Sequence, residues 1–234
     1  MKIRTLAAPV LVACTFAACS SGVNPVVQTL QDALQGNRSV TDAQLNPAFR
    51  YIRITVGGRV SFLALGSEDK HPQGPIEVWF SAQREVLRLQ NGRVVGAAGV
   101  TTEWRSVTLP EMPSWSALAR SQQPLLWVRI RDVMPGYRLG VRDELVLRAV
   151  PPPKESALQG VDAPSLSWFE ERFQTGVVAG RLTRLVTDVA IDRVLPPARY
   201  AVDLRDGKEI VVYGEQCLAP EFCFTWQRWN VEKR

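Results

Sequence analysis

Histidine is almost missing from this sequence: His71, in the turn Asp69-Lys70-His71-Pro72, is the only one in 234 residues. A Ser-His-Asp arrangement would have to use it, and no Gly-x-Ser-x-Gly elbow accompanies it, so serine-hydrolase chemistry is not expected. A phosphate loop, a dinucleotide glycine pattern and a metal-ligand cluster are absent too, so neither cofactor nor metal is expected. Carboxylates occur in doublets, at Glu68/Asp69, Asp143/Glu144 and Glu170/Glu171. Neighbours on a strand point to opposite faces, which spoils each doublet as an acid/base pair and makes it ordinary solvated surface. No catalytic residue is assigned, and the chain reads as non-enzymatic. Lysine is scarce, 5 against 23 arginines, within a formal net charge of +5. That balance is too mild for a nucleic-acid binder. Arginine's planar fork suits carboxylates and would fit an acidic glycan. A GC-rich genome produces the same excess and is the heavier of the two explanations.

Four cysteines are enough to matter. Lys2 and Arg4 precede an uncharged, mostly apolar run from Thr5 to Ala18, followed by Cys19-Ser20-Ser21. The run is shorter than the roughly 20 residues of a stable span and reads as a secretory signal. Phe16-Ala17-Ala18-Cys19 resembles a bacterial lipobox, whose cysteine is acylated and becomes the mature N-terminus. Several acyl chains hold a protein to a membrane where a single chain is marginal. Leu11-Val12-Ala13-Cys14 fits a lipobox locally as well. Cleavage there would leave an apolar core of about nine residues, near the lower bound, so Cys19 is preferred. Ser20-Ser21 resembles an outer-membrane retention signal. The expected organisation is a signal peptide over 1–18, an acylated tether with a short helix over 19–48, and a β-rich domain over 49–234. Without residues 1–18 the chain keeps 216 residues and a charge of +3. Its hydrophobic content of 46% suffices for a core.

Period-two alternation starts at Phe49. Ile52, Ile54 and Val56 alternate with polar neighbours, Gly57-Gly58 turns the chain, and Val60, Phe62 and Ala64 return. Further strands are expected over 76–81, 85–90, 93–95, 125–131, 145–150, 166–173, 177–194, 200–204 and 209–213. Asn91-Gly92 and Asp206-Gly207 are the strongest hairpin turns, because these residues tolerate positive φ. Pro110 and Pro113 mark a loop around Trp115. Before the strands, Asn24-Pro25 opens a helix over 26–34, with Val26, Val27, Leu30 and Leu34 on one face. Strands at about ten-residue intervals imply a mainly β fold, an antiparallel sandwich or barrel-like domain with a short N-terminal helix.

Cys217 and Cys223 form a Cys-x5-Cys pair. In an oxidising compartment this reads as a local disulfide with 218–222 as its connecting loop. The other reading, a metal site, would have two thiols and no neighbouring histidine. Seven tryptophans punctuate the chain. Trp79 and Trp127 lie opposite the aliphatic faces of their strands, and Trp226 shares a face with Arg228. These four residues are the candidate glycan contacts, with indoles as platforms and the guanidinium bonding hydroxyls or carboxylates. Against that stands the ordinary role of tryptophan as a core anchor.

Residues 74–100 run from Gly74-Pro75-Ile76-Glu77-Val78-Trp79-Phe80 through Asn91-Gly92 to Gly99-Val100. A strand ending near a tryptophan, an apolar-rich second strand, an Asn-Gly turn and a strand closing on Gly-Val resemble the YjbF/GfcB-type (YmcC-like) lipoproteins of Gram-negative bacteria. Residues 176–196 are similar to that family's C-terminal half. The likeness covers most of the mature chain and is densest over 49–109. It implies an outer-membrane lipoprotein on the periplasmic face, an accessory factor in exopolysaccharide or group 4 capsule secretion or assembly. The implied partners are the membrane, through the N-terminal lipid, and an acidic polysaccharide or proteins of the export machinery. The family brings no established catalytic residues. The alternative function is a carbohydrate-active hydrolase or lyase acting on an envelope polysaccharide.

Overall fold

The computed structural model describes residues 45–121, 123–174 and 194–230. Cys14, Cys19, the helix expected over 26–34 and nearly all of the strand region expected over 177–194 lie outside these residues. The expected hairpins form where the turn residues put them. Gly57 and Gly58, at φ 53° and 80°, join β1 (Tyr51–Val56) to β2 (Arg59–Asp69). After β3 (Ile76–Phe80), Asn91 and Gly92 at φ 48° and 79° join β4 (Val86–Gln90) to β5 (Arg93–Ala98). Positive φ at both turn positions matches the twist of the flanking strands.

One element appears where no strand was expected and one where a loop was expected. β6 (Glu103–Thr108) precedes Pro110, and the helix α1 (Trp115–Arg120) follows Pro113. Ser114 caps α1, its hydroxyl accepting from the Ala117 N–H at 3.2 Å. Trp115 and Leu118, three apart on one face, are buried in the core. Short polar caps flanking one apolar turn carry a weak periodic signal, which the two prolines overshadowed.

β7 (Leu125–Met134), β8 (Arg138–Val150), β9 (Ser167–Phe173), β10 (Ala198–Asp203), β11 (Ile210–Ala219) and β12 (Phe222–Trp229) complete the sheet. Each strand pairs antiparallel with the next, and β12 returns to β1 with Trp229 opposite Tyr51. The twelve strands among the described residues therefore close a ring, which leaves no sheet edge to template aggregation. The barrel-like expectation holds.

The ring is flattened. β5 and β11 stand six strands apart in either direction, as far apart as a twelve-stranded ring allows. Yet a Cβ built on Gly92 would sit 2.5 Å from the Val211 side chain. The Gln216 side chain reaches from β11 to both the Val94 N–H of β5 and the Gly92 carbonyl of the turn before it, at 3.0 and 3.1 Å. The Trp104 indole of β6 likewise donates to the Leu218 carbonyl of β11 at 3.0 Å. Opposite walls in contact give a barrel the interior of a sandwich. The lumen packs Ile52, Leu89, Leu145, Leu147, Phe169 and Trp226 into one core. Two smaller clusters lie apart from it. One gathers Tyr51 and Phe62 with Leu45 of the leading segment, and the other Trp168 and Tyr213 with Leu158 and Leu166 of the β8–β9 connection.

The cysteine loop is shorter than expected. β11 runs to Ala219 and β12 begins at Phe222, so Pro220 and Glu221 alone make the turn. Cys217 and Cys223 are direct cross-strand partners, and the disulfide is formed. A bulge at Leu218 frees its carbonyl for Trp104, which is why the ladder continues past the cysteines. Reducing this bond is expected to cost about 2 kcal/mol, because the unfolded loop it closes is short. Urea unfolding of oxidised and reduced protein measures this, and a loss above about 4 kcal/mol would contradict the short-loop account.

Candidate functional site

The lumen is charged as well as apolar. On β7, Trp127, Arg129, Arg131 and Val133 are buried, while Leu126 and Ile130 are exposed. The aliphatic side of this strand thus faces out, and the tryptophan–arginine side faces in. On β8, Asp143, Leu145 and Leu147 are buried and Glu144 is exposed. Asp143 stands opposite Arg129 in the ladder. Its carboxylate accepts from Arg129 Nε and Nη2 at 2.9 and 2.8 Å, and from Arg131 Nε and Nη2 at 2.6 and 3.1 Å. The two guanidinium groups lie 4.7 and 5.0 Å from the centre of the Trp104 ring. Glu171 of β9 accepts from Arg129 at 3.4 Å. Burial pushes the Glu171 carboxyl up, against the pull of Arg129 and Arg93.

Two of the carboxylate doublets are therefore not solvated surface. Asp143 and Glu171 are 2% and 3% exposed, while their neighbours Glu144 and Glu170 belong to the outer face. Strand alternation did separate the members of each doublet, but it carried one of each inward to the arginines.

A cleft of about 810 Å³ opens at one end of the barrel. Glu77 and Trp79 of β3, Arg93 of β5, Trp115 of α1, Glu209, and Arg228 and Trp229 of β12 are among its walls. Arg228 donates to both oxygens of Glu77 at 2.8 and 3.0 Å and to the Val211 carbonyl at 2.9 Å. Arg50 approaches Glu77 from the rim at 3.5 Å. Glu209 accepts from the Trp115 and Ser116 N–H groups at 2.8 and 3.0 Å. It supplies the anion at the start of α1, which has no acidic residue in its own first turn. Burial pushes the Glu209 carboxyl up, but hydrogen bonds from Ser116, Trp115 and Ser114 outweigh it and hold it below its usual value.

Arg93 lies beneath α1, its guanidinium 4.1 Å from the centre of the Trp115 ring and 5.6 Å from that of Tyr200. It is 4% exposed, and its Nε and Nη2 donate to nothing among the described residues. Burial lowers its pKa while Tyr200 and Glu171 oppose that shift.

Of the four candidate glycan contacts, the fold brings Trp79 and Arg228 together in this cleft. Trp127 and Trp226 are packed in the lumen core, Trp226 with its indole against Gly214. Neither presents an open face for a sugar, because the tryptophan side of each strand is the inward side. Trp79 is also buried, with its indole N–H unpartnered among the described residues, so it is no open platform either. Sequence reasoning missed Arg93, Trp115 and Glu209. Arg93 follows an Asn-Gly turn, which reads as an exposed hairpin tip, and nothing local indicates that α1 covers it. Among the described residues no group of three or more His, Cys, Asp or Glu could hold a metal.

This architecture has a solved counterpart. The hypothetical lipoprotein YmcC from Escherichia coli K12 superposes with a TM-score of 0.53 over 89% of this chain and 97% of its own, at 13% identity. The chain shares YmcC's fold. That agrees with the likeness read from residues 74–100, which form β3, β4 and β5 and the Asn91-Gly92 turn. No protein-family model and no curated protein matches the sequence.

Proposed function

We propose that this protein is an outer-membrane-anchored periplasmic lipoprotein, a non-enzymatic accessory factor in exopolysaccharide or capsule secretion or assembly, and that the cleft is where it meets glycan. The observation that carries the reading is residues 1–19, a charged start, an apolar run and Cys19, on a chain with the fold of a protein described as a hypothetical lipoprotein. The outer face of β8 and β9 supports a position in water beside the membrane. It carries Arg142, Glu144, Arg148 and Glu170 in ion pairs, which lipid contact would penalise. Binding without turnover is supported by the two carboxylates of the cleft, since Glu77 is held by Arg228 and Glu209 by the start of α1.

Cys19→Ala is expected to move the protein from the membrane to the soluble periplasmic fraction and to abolish palmitate labelling, while Cys14→Ala keeps both. Labelling that survives in Cys19→Ala and vanishes in Cys14→Ala would place the lipid on Cys14. Deleting the gene is expected to reduce surface polymer, with the intact protein and not Cys19→Ala restoring it. Unchanged polymer in the deletion strain would sink the accessory role. Cleavage of the polymer by the purified protein would replace it with the hydrolase or lyase reading.

A further inference from the structure

We propose that the floor of the cleft is a carboxylate-binding site, in which Arg93, with the indole N–H groups of Trp79 and Trp115, receives the acid group of a uronic-acid saccharide. The inference deepens the reading of the cleft as a glycan site and rests on it. Three observations point to an anion from outside.

Among the described residues, Arg93 Nε and Nη2, Trp79 Nε1 and Trp115 Nε1 are all buried and without hydrogen-bond partners. All three side chains line the same cleft, at 4%, 1% and 4% exposure. Buried donors are normally satisfied, and three side chains that line one cleft with unsatisfied donors call for an acceptor that the described residues do not supply. The charges of the interior point the same way. Among the described residues, Arg93, Arg129 and Arg131 face two carboxylates, and Asp143 is taken by Arg129 and Arg131 together. Glu171 bonds Arg129, and among the described residues its second oxygen Oε2 has no partner and Arg93 receives no carboxylate hydrogen bond. A guanidinium stays protonated however deeply it is buried, which leaves one cation in excess.

The other charges of the cleft wall are spoken for. Arg228 and Arg50 share Glu77, and Glu209 caps α1. Among the described residues, Arg93 is thus the cation of the cleft without a carboxylate partner, and its planar fork suits a carboxylate. The volume of about 810 Å³ falls within the roughly 300–1,000 Å³ of small-molecule sites. Phe49, Pro75 and the partly exposed Trp229 add apolar wall for the faces of a sugar ring. Acid at the floor and ring against the wall is the arrangement a uronic acid would require.

The test titrates the full acylated chain in detergent with a β-1,4-linked glucuronic acid tetramer, the neutral β-1,4-glucose tetramer and inorganic phosphate, read by calorimetry and tryptophan fluorescence. The acid tetramer is expected to bind at least roughly tenfold tighter than the neutral one, as charge-assisted hydrogen bonds require. Arg93→Met, close in volume and uncharged, is expected to remove that advantage, so that the acid tetramer binds no tighter than the neutral one. Where Arg93→Met does not fold, Trp115→Phe decides: it keeps a ring against the guanidinium, loses one donor, and is expected to weaken acid binding about threefold. Equal affinity for the two tetramers, phosphate binding as tightly as the acid tetramer, or acid binding unchanged in the folded variants overturns the site. Binding of neither tetramer also overturns it, and it alone, because the accessory role is judged by surface polymer in the deletion strain.

Discussion

Asp143→Ala is expected to destabilise the barrel by about 3–5 kcal/mol, the cost of removing one partner from a buried ion pair. Asp143 is 2% exposed and is bonded by both Arg129 and Arg131, themselves 6% and 3% exposed. Without it, two guanidinium groups stay in the lumen with Glu171 as the nearest carboxylate, bonded to Arg129 at 3.4 Å. Stacking on Trp104 attenuates that loss but supplies no hydrogen-bond acceptor in the guanidinium plane. The triple replacement Arg129→Met, Arg131→Met and Asp143→Leu is expected to be far milder. It removes the charges together and leaves Arg93 facing Glu171, whose mutual attraction already acts on the Glu171 carboxyl. Urea unfolding of the full chain measures both, with an unchanged m-value as the sign that stability alone has moved. A loss below about 1 kcal/mol for Asp143→Ala would mean that the lumen is wet and its charges screened.

This cluster also shows where reading the sequence succeeds and where it stops. Period-two alternation on β7 separated Leu126, Val128 and Ile130 from Trp127, Arg129 and Arg131 correctly. Which side faces in is not legible there, because a single strand shows two faces and not what each will meet. Arginine is buried here because β8 places Asp143 opposite Arg129, and β6 lays Trp104 beneath both guanidiniums. Neither partner is near in sequence. Turns were legible because their signal is local: Gly57-Gly58 and Asn91-Gly92 need only their own φ angles. The Cys217–Cys223 bond was legible for the same reason. Closure of the ring was not, since it depends on Tyr51 meeting Trp229 across almost the whole domain. The cleft depends on that closure and on α1, so of the candidate residues Trp79 and Arg228 were placed in it, while Arg93 was not seen as part of a site.

Gln216→Leu is expected to cost several kcal/mol, about 1–3 kcal/mol for each backbone group it leaves buried without a partner. Along β5, the pairing with β6 is registered at Ala97 and Trp104 alone among the described residues. Gly92 and Val94 point their carbonyl and N–H toward that missing neighbour, and the amide of Gln216 meets both, as a strand would. Leucine has nearly the volume of glutamine but neither function, so the loss reports hydrogen bonding more than packing. Amide exchange at Val94 is the local readout, expected to accelerate more than exchange along β10 or β12. Gln216→Glu separates the two halves of the amide. Its ionised carboxylate can accept from Val94 but has nothing to donate to Gly92, while its protonated form restores the donor. Burial raises the pKa of such a carboxyl above its unfolded value, so the contribution is full below the unfolded value and is lost as pH rises through the folded one. The stability gap between Gln216→Glu and wild type is therefore expected to narrow as pH falls from 7 toward about 4. A gap that stays constant across that range would show that Gly92 does not depend on the Gln216 donor, and that the two walls are held by packing such as Gly92 against Val211.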